Sequence, residues 1–177
     1  MEDNRLENTY ESKNWLVRTY FRYKINQAIR LAQLKKTDVI LDFGCGGGWL
    51  EQVLQKCKIY GYDTNPQKTF IKDYRTVRPD KIFALDVFEH IPKSELQKII
   101  ESFKKLNNQF EIIVSIPTEN FISRKVRKLV GKEEIPKEHV TKYNDILDLL
   151  KKNFTFKRKS NIFTVTHTFV FEHPKTD

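Results

Sequence analysis

The stretch Val39-Ile-Leu-Asp-Phe-Gly-Cys-Gly-Gly-Gly48 sets an apolar run bearing a carboxylate, Asp42, directly before glycines at 44, 46 and 48. A chain that leaves a strand and turns sharply into a helix needs positive φ. Glycines there let a ligand approach bare backbone, and the new helix presents unpaired N–H groups. The pattern marks a nucleoside cofactor site. Its spacing is G-x-G-x-G, whereas a dinucleotide site takes G-x-G-x-x-G and a phosphate cradle closes on Gly-Lys-Ser/Thr; here the turn runs into Trp49-Leu50. Asp42 suits a cationic headgroup better than a pyrophosphate, and Cys45 reads as a small residue packed under the cofactor. Asp63 closes the run Lys58-Ile-Tyr-Gly-Tyr62, which reads as the next parallel strand. A carboxylate at that strand tip is placed to accept both ribose hydroxyls. Capping a helix that starts near Pro66 is the structural alternative, and the two roles are compatible.

A second constellation follows the apolar run Lys81-Ile-Phe-Ala-Leu85: Asp86-Val-Phe-Glu89-His90-Ile-Pro92. This places acids and an imidazole at the carboxyl edge of the sheet, where substrates of α/β folds bind. Glu89 and His90 also suit closure of the strand and capping of the next helix. His139 lies in Pro136-Lys-Glu-His-Val-Thr-Lys-Tyr143; His167 and His173 fall in the closing segment and are expected to be structural or exposed.

These residues need a frame. Residues 14–34 carry Phe21, Ile25, Ala28, Ile29 and Ala32 at helical spacing. Strands are expected at 38–43, 58–63, 81–85 and 111–116, and helices at 48–57, from Pro66 to about Tyr74, at 93–106 and at 141–152. Phe154 to Arg158 and Phe163 to Glu172 read as an antiparallel hairpin. Alternating strands and helices predict a doubly wound α/β sheet whose last strand runs antiparallel. Residues 1–177 form a single domain by length, with an N-terminal helical lid over 1–37 and the α/β core over 38–177.

Asp42, the three glycines and Asp63 together resemble the class I S-adenosylmethionine-dependent methyltransferases. The resemblance spans about residues 38 to 172. It implies a Rossmann-like methyltransferase sheet, S-adenosyl-L-methionine as cofactor, cofactor binding by Asp42, Gly44, Cys45, Gly46, Gly48, Asp63 and Asp86, and catalytic positions at Asp86, Glu89, His90 and His139. Family members place a third strand and an adenine-contacting acidic loop after the ribose acid. The interval from Asp63 to Asp80 is too short for both, so the third strand is expected to be reduced, to residues 76–78, or absent.

Methyl transfer from a sulfonium is an in-line displacement whose leaving group the cofactor already carries, so the protein mainly positions the acceptor and removes its proton. The spacing Asp86, Glu89, His90 with a distant His139 resembles the Glu-x-x-Glu-His pattern of divalent-metal-dependent O-methyltransferases, which act in ubiquinone biosynthesis and on small-RNA 2′-hydroxyls. A divalent metal there would lower the acceptor's pKa. Asp86 is one methylene shorter than the glutamate of that pattern, so a metal is not the favoured reading, and His139 as a metal-free base or acceptor-binding residue is the alternative. Glu119 and Asn120, in Ser115-Ile-Pro-Thr-Glu-Asn120, resemble an acceptor-side loop, with helix capping as the other reading. The Asn/Asp-Pro-Pro-Tyr/Phe signature of base N-methyltransferases does not occur at Asp86-Val-Phe-Glu.

A net charge of +9, from 32 Lys and Arg against 23 Asp and Glu, allows an anionic partner such as RNA, but the lysines are dispersed. Two segments are more pointed: Trp15 to Lys24, which interleaves aromatics with Arg18, Arg22 and Lys24, and the run with Arg124, Lys125, Arg127, Lys128 and Lys132. No apolar run approaches the roughly 20 residues of a membrane span, and the charged first residues do not resemble a secretory signal, so a cytoplasmic protein is expected. The two cysteines form neither a disulfide framework nor a zinc signature. The expected function is methyl transfer to a small-molecule or lipid-precursor acceptor, most simply on oxygen. An RNA acceptor and a catalytically inert cofactor-binding module are the other readings, and the oligomeric state is open.

Overall fold

Short β-branched and aromatic runs become strands, and the longer 3.6-residue repeats become helices. The computed structural model describes residues 15–118, 139–162 and 165–173. In chain order the elements are α1 (Trp15–Ala32), β1 (Val39–Phe43), α2 (Trp49–Val53), β2 (Lys58–Tyr62), β3 (Lys81–Leu85), α3 (Lys93–Phe103), β4 (Glu111–Pro117), α4 (Tyr143–Asn153), β5 (Thr155–Ile162) and β6 (Thr166–Glu172). The sheet order is β2-β1-β3-β4-β6-β5. β1 pairs in parallel with both β2 and β3, β3 pairs in parallel with β4, and β6 runs antiparallel to both its neighbours.

Strands covered on both faces must be apolar on both faces. Leu41, Phe43, Ile82, Ala84, Ile112 and Val114 pack with α3 and α4 on one side, while Ile40, Phe83, Ile113 and Val170 meet Ile25, Ala28 and Ala32 of α1 and Leu50 of α2 on the other. The chain leaves β1 for β2 and then returns to build β3 on the opposite side of β1. The strand order therefore reverses between β1 and β3, which opens a crevice at their carboxyl ends. Among the described residues, no helix is long and apolar enough to cross a membrane.

Two expectations are corrected. No α-helix forms between Pro66 and Tyr74: Lys68 and Thr69 N–H turn back to the Asn65 carbonyl, Phe70 and Ile71 N–H donate to the Gly61 carbonyl, and only a 3-10 turn follows at Tyr74–Thr76. The segment spends its donors on β2, covering a strand edge that would otherwise be open. The third strand is accordingly absent, as its short interval predicts. The helix after the glycine turn also stops at Val53 rather than residue 57, with Val53 itself 52% exposed. Gln55 and Lys56 offer no apolar surface to hold another turn.

Candidate functional site: the crevice between β1 and β3

Asp42 is carried to the crevice by β1, and the turn that follows bends through three left-handed glycines: Gly44 at φ +81°, Gly46 at +50° and Gly48 at +68°. Gly44 and Cys45 N–H both donate to the Tyr62 carbonyl, at 2.7 and 3.1 Å, pinning the turn to the end of β2. A Cβ on Gly44 would sit 2.4 Å from the Val87 side chain, so the first glycine is demanded by packing. A Cβ on Gly46 would meet nothing within 4 Å. The second glycine thus faces open space, where a ligand can reach the backbone.

Asp63 is fixed from two sides. Its Oδ2 accepts from Gly46 N–H at 3.0 Å and its Oδ1 from Asn65 N–H at 2.9 Å, leaving one lone pair on each oxygen for a pair of vicinal hydroxyls. Asp63 therefore closes a local turn, and no helix follows for it to cap. Cys45 is buried, with its thiol directed to the Lys68 carbonyl at 3.5 Å. Burial above all, then the nearby Asp42, Glu51 and Asp63 carboxyls, pushes that thiol up, so it is an inert packing group.

A pocket joins Asp42 and the glycine turn to β3 and α1. It is lined by Asp42, Gly44, Cys45, Gly46 and Gly47, by Trp49 and Leu50, by Leu85 and Asp86, and by Phe21 and Ile25 from α1. Asp86 sits at the tip of β3 with φ +57°, a conformation rare for a residue with a side chain. Three contacts hold it there: its N–H donates to the Ser115 carbonyl, Ser115 Oγ donates to Oδ1 at 2.7 Å, and the Lys24 ammonium pairs with Oδ2. Lys24 is itself 2% exposed and lies 4.5 Å from the centre of the Phe21 ring.

Glu89, His90 and His139 form a separate group. Their ligand-capable atoms lie within 4.8 Å of one another, and the imidazoles of His90 and His139 meet edge to face at 4.9 Å. The Glu89 carbonyl accepts from Val140 and Thr141 N–H, which ties the segment after β4 to the turn after β3 and brings His139 over. Of the four residues that the unfavoured metal reading would bring together, Asp86 stands outside this group, its carboxylate engaged by Lys24 and Ser115. His167 lies on β6, and its Nδ1 shares a hydrogen bond of 2.6 Å with the Tyr143 hydroxyl; His173 is buried against Phe110. Glu119, Asn120 and the basic run from Arg124 to Lys132 lie outside the described residues.

The aromatic helix Trp15 to Lys24 was expected as a lid, and Phe21 does line the pocket, whereas the parts of Lys24, Glu51 and Ser115 around it were not legible. Lys24 carried a signal, since it falls on the same helical face as Phe21, Ile25 and Ala28, where a surface lysine would not be placed. Glu51 carried none, because its position depends on what lies across from it on β2.

Residues 17–154 match the model of a family described as a methyltransferase domain. The chain belongs to that methyltransferase family. It is an S-adenosylmethionine-dependent methyltransferase of class I. The open face of Gly46, the hydroxyl-ready Asp63 and the acidic floor at Asp42 fit a nucleoside bearing a cationic tail, which is this methyltransferase's cofactor. Solved structures share its fold. Magnesium protoporphyrin IX methyltransferase from Synechocystis PCC 6803, with bound S-adenosylhomocysteine, has 19% identity and a TM-score of 0.68 over 97% of this chain and 94% of that one. A SAM-dependent methyltransferase from Aquifex aeolicus has 14% identity and a TM-score of 0.67 over 98% and 94%. The N-methyltransferase NodS from Bradyrhizobium japonicum WM9 has 13% identity and a TM-score of 0.63 over 88% and 97%. No curated protein sequence is significantly similar to the methyltransferase.

Proposed function

We propose that this methyltransferase moves the methyl group of S-adenosylmethionine to an oxygen of a small-molecule acceptor, and that Glu89, His90 and His139 receive the acceptor's proton. The observation that carries the reading is their convergence in and over the turn that follows β3, a few residues beyond Asp86 of the pocket lining. Asp42, the glycine turn, Asp63 and Asp86 hold the cofactor, with the Asp63 carboxylate on the ribose hydroxyls. An alcohol or phenol is a poor nucleophile until it loses its proton, and an imidazole is a common acceptor for it. His139 is the base, and Glu89, packed against the segment that carries it, orients the imidazole pair. Phe21 and Ile25 of α1 cover the pocket and keep water from the sulfonium. The apolar lining suits an acceptor with an apolar body, and a porphyrin is what one structural neighbour is named for.

The same donor set favours a second reading. Two imidazoles and one carboxylate suit a divalent ion, which Glu89, His90 and His139 would hold and which, when bound, would act as a Lewis acid on the acceptor hydroxyl. The test is label transfer from S-adenosylmethionine to panels of phenolic, carboxylic and RNA acceptors, with and without chelator, in the wild type and in His139→Ala. Loss in His139→Ala with full chelator resistance supports the base. Loss in both supports the metal. Labelling of RNA alone, weakened steeply by salt, would replace the small-molecule reading.

A further inference from the structure

Asp42 faces Gly61 across the β1–β2 pairing, and the space over Gly61 is filled from above by α2. A Cβ on Gly61 would stand 2.3 Å from Glu51 Oε1. The Glu51 carboxyl therefore lies on the bare backbone of β2, next to the Asp42 carboxyl and beneath the glycine turn. Both Glu51 oxygens are sealed from solvent, and Asp42 is 5% exposed. Among the described residues, neither carboxyl has a cationic partner and neither Glu51 oxygen meets a donor. Two carboxylates are acceptors only and repel each other, whereas a proton between them turns one into a donor and lets the pair bond. Buried carboxyls without cations take that proton.

We propose that Glu51 and Asp42 form a proton-sharing pair that serves as the counter-ion of the cofactor's cationic methionyl end, giving up its proton to solvent as the cation arrives. The inference deepens the cofactor assignment and rests on it. The step is balanced: one O–H bond of the pair breaks, the proton leaves to buffer, and two carboxylates then face the incoming positive charge. Burial is the chief reason that both Asp42 and Glu51 titrate above the usual carboxylate range; for Asp42 the Glu51 and Asp63 charges add to it. The ionisable groups that face the pair are Cys45 from the turn and Asp63 from the end of β2. Lys24, on the α1 side of the pocket, is engaged by Asp86. Glu51 is thereby a selectivity residue: S-adenosylmethionine carries a sulfonium charge that S-adenosylhomocysteine lacks, so the deprotonated pair favours the substrate over the spent product.

The experiment is calorimetric titration of the intact protein with S-adenosylmethionine and with S-adenosylhomocysteine, in buffers of different ionisation enthalpy. Over the pH range in which the free pair holds one shared proton, the wild type is expected to release about one proton per S-adenosylmethionine bound, so that affinity climbs about tenfold per pH unit. In Glu51→Gln the amide donates to Asp42 and keeps it ionised; the proton release and the pH slope should both vanish, and the preference for S-adenosylmethionine over S-adenosylhomocysteine should shrink. Binding without proton release in the wild type at every pH, or equal release in wild type and Glu51→Gln, overturns the proposal. Failure of the folded wild type to bind either compound would instead overturn the cofactor assignment on which it rests.

Discussion

The ammonium of Lys24, on α1, pairs with the carboxylate of Asp86 at the tip of β3, and the two side chains are 2% and 21% exposed. Helix α1 is thus anchored electrostatically to the crevice at the carboxyl ends of β1 and β3. Removing one partner of a buried pair leaves an uncompensated charge, which costs more than the pair contributes as a whole. Lys24→Met should destabilise the fold by about 3 kcal/mol, and Lys24→Met with Asp86→Asn by clearly less. A double-mutant cycle from denaturant unfolding measures this, and additive losses would show that the pair is not coupled.

Gly44 and Gly46 should separate stability from binding. Gly44→Ala drives a methyl into Val87 and fixes a side chain at positive φ, so about 2–5 kcal/mol of stability should go. Gly46→Ala meets no neighbour and should cost only about 1–2 kcal/mol of backbone strain, while intruding where the cofactor belongs. Thermal melts paired with S-adenosylhomocysteine titration decide it: the first variant should lose mainly melting temperature, the second mainly affinity.

Asp63→Ala removes the acceptor for both Gly46 and Asn65 N–H, together with the proposed ribose contact. Charge-assisted hydrogen bonds contribute about 1.5–3 kcal/mol each, so affinity for S-adenosylhomocysteine should fall at least about tenfold. Retention of wild-type affinity would remove Asp63 from the cofactor site.

Asp42 ties stability to pH with a definite sign. Its folded-state pKa lies well above the ordinary value, chiefly through burial, so the native protein binds the proton more tightly than the unfolded chain. The associated stability is complete below the unfolded carboxylate range and is lost as pH rises through the folded value. Asp42→Asn should flatten this decline and raise the melting temperature at neutral pH, while cofactor affinity drops. Melting curves across pH for both proteins test it, and an equal slope in the variant would assign the decline elsewhere.

His167 offers a reporter on the α4 side. Burial first, and Lys159 second, hold its pKa below the ordinary histidine value, and its Nδ1 shares a hydrogen bond with the Tyr143 hydroxyl. In acid the unfolded chain takes the proton more readily, so this contribution to stability is lost as pH falls. Tyr143→Phe should cost about 1 kcal/mol and move the His167 titration upward, read by NMR. An unchanged titration would mean that the hydroxyl does not favour the neutral ring.

What was legible in the chain was what neighbouring residues decide among themselves. The turn at Gly44, Gly46 and Gly48 is written in glycine's freedom at positive φ, and β1, β3 and β4 are written in apolar runs that only a doubly covered sheet can bury. The missing third strand followed from chain length alone, since so few residues cannot make both a strand and its crossover. Tertiary structure decided the rest, because those outcomes turn on partners far away in sequence. The helix expected after Pro66 did not form because Gly61 captured the N–H groups of Phe70 and Ile71. Asp86 left the Glu89, His90 and His139 group because a lysine 62 positions earlier and Ser115 claimed its carboxylate. Glu51 lies against β2 only because the strand places a glycine beneath it. Local chemistry names a residue's possible roles; the groups folded against it determine its charge, its partners and which role it performs.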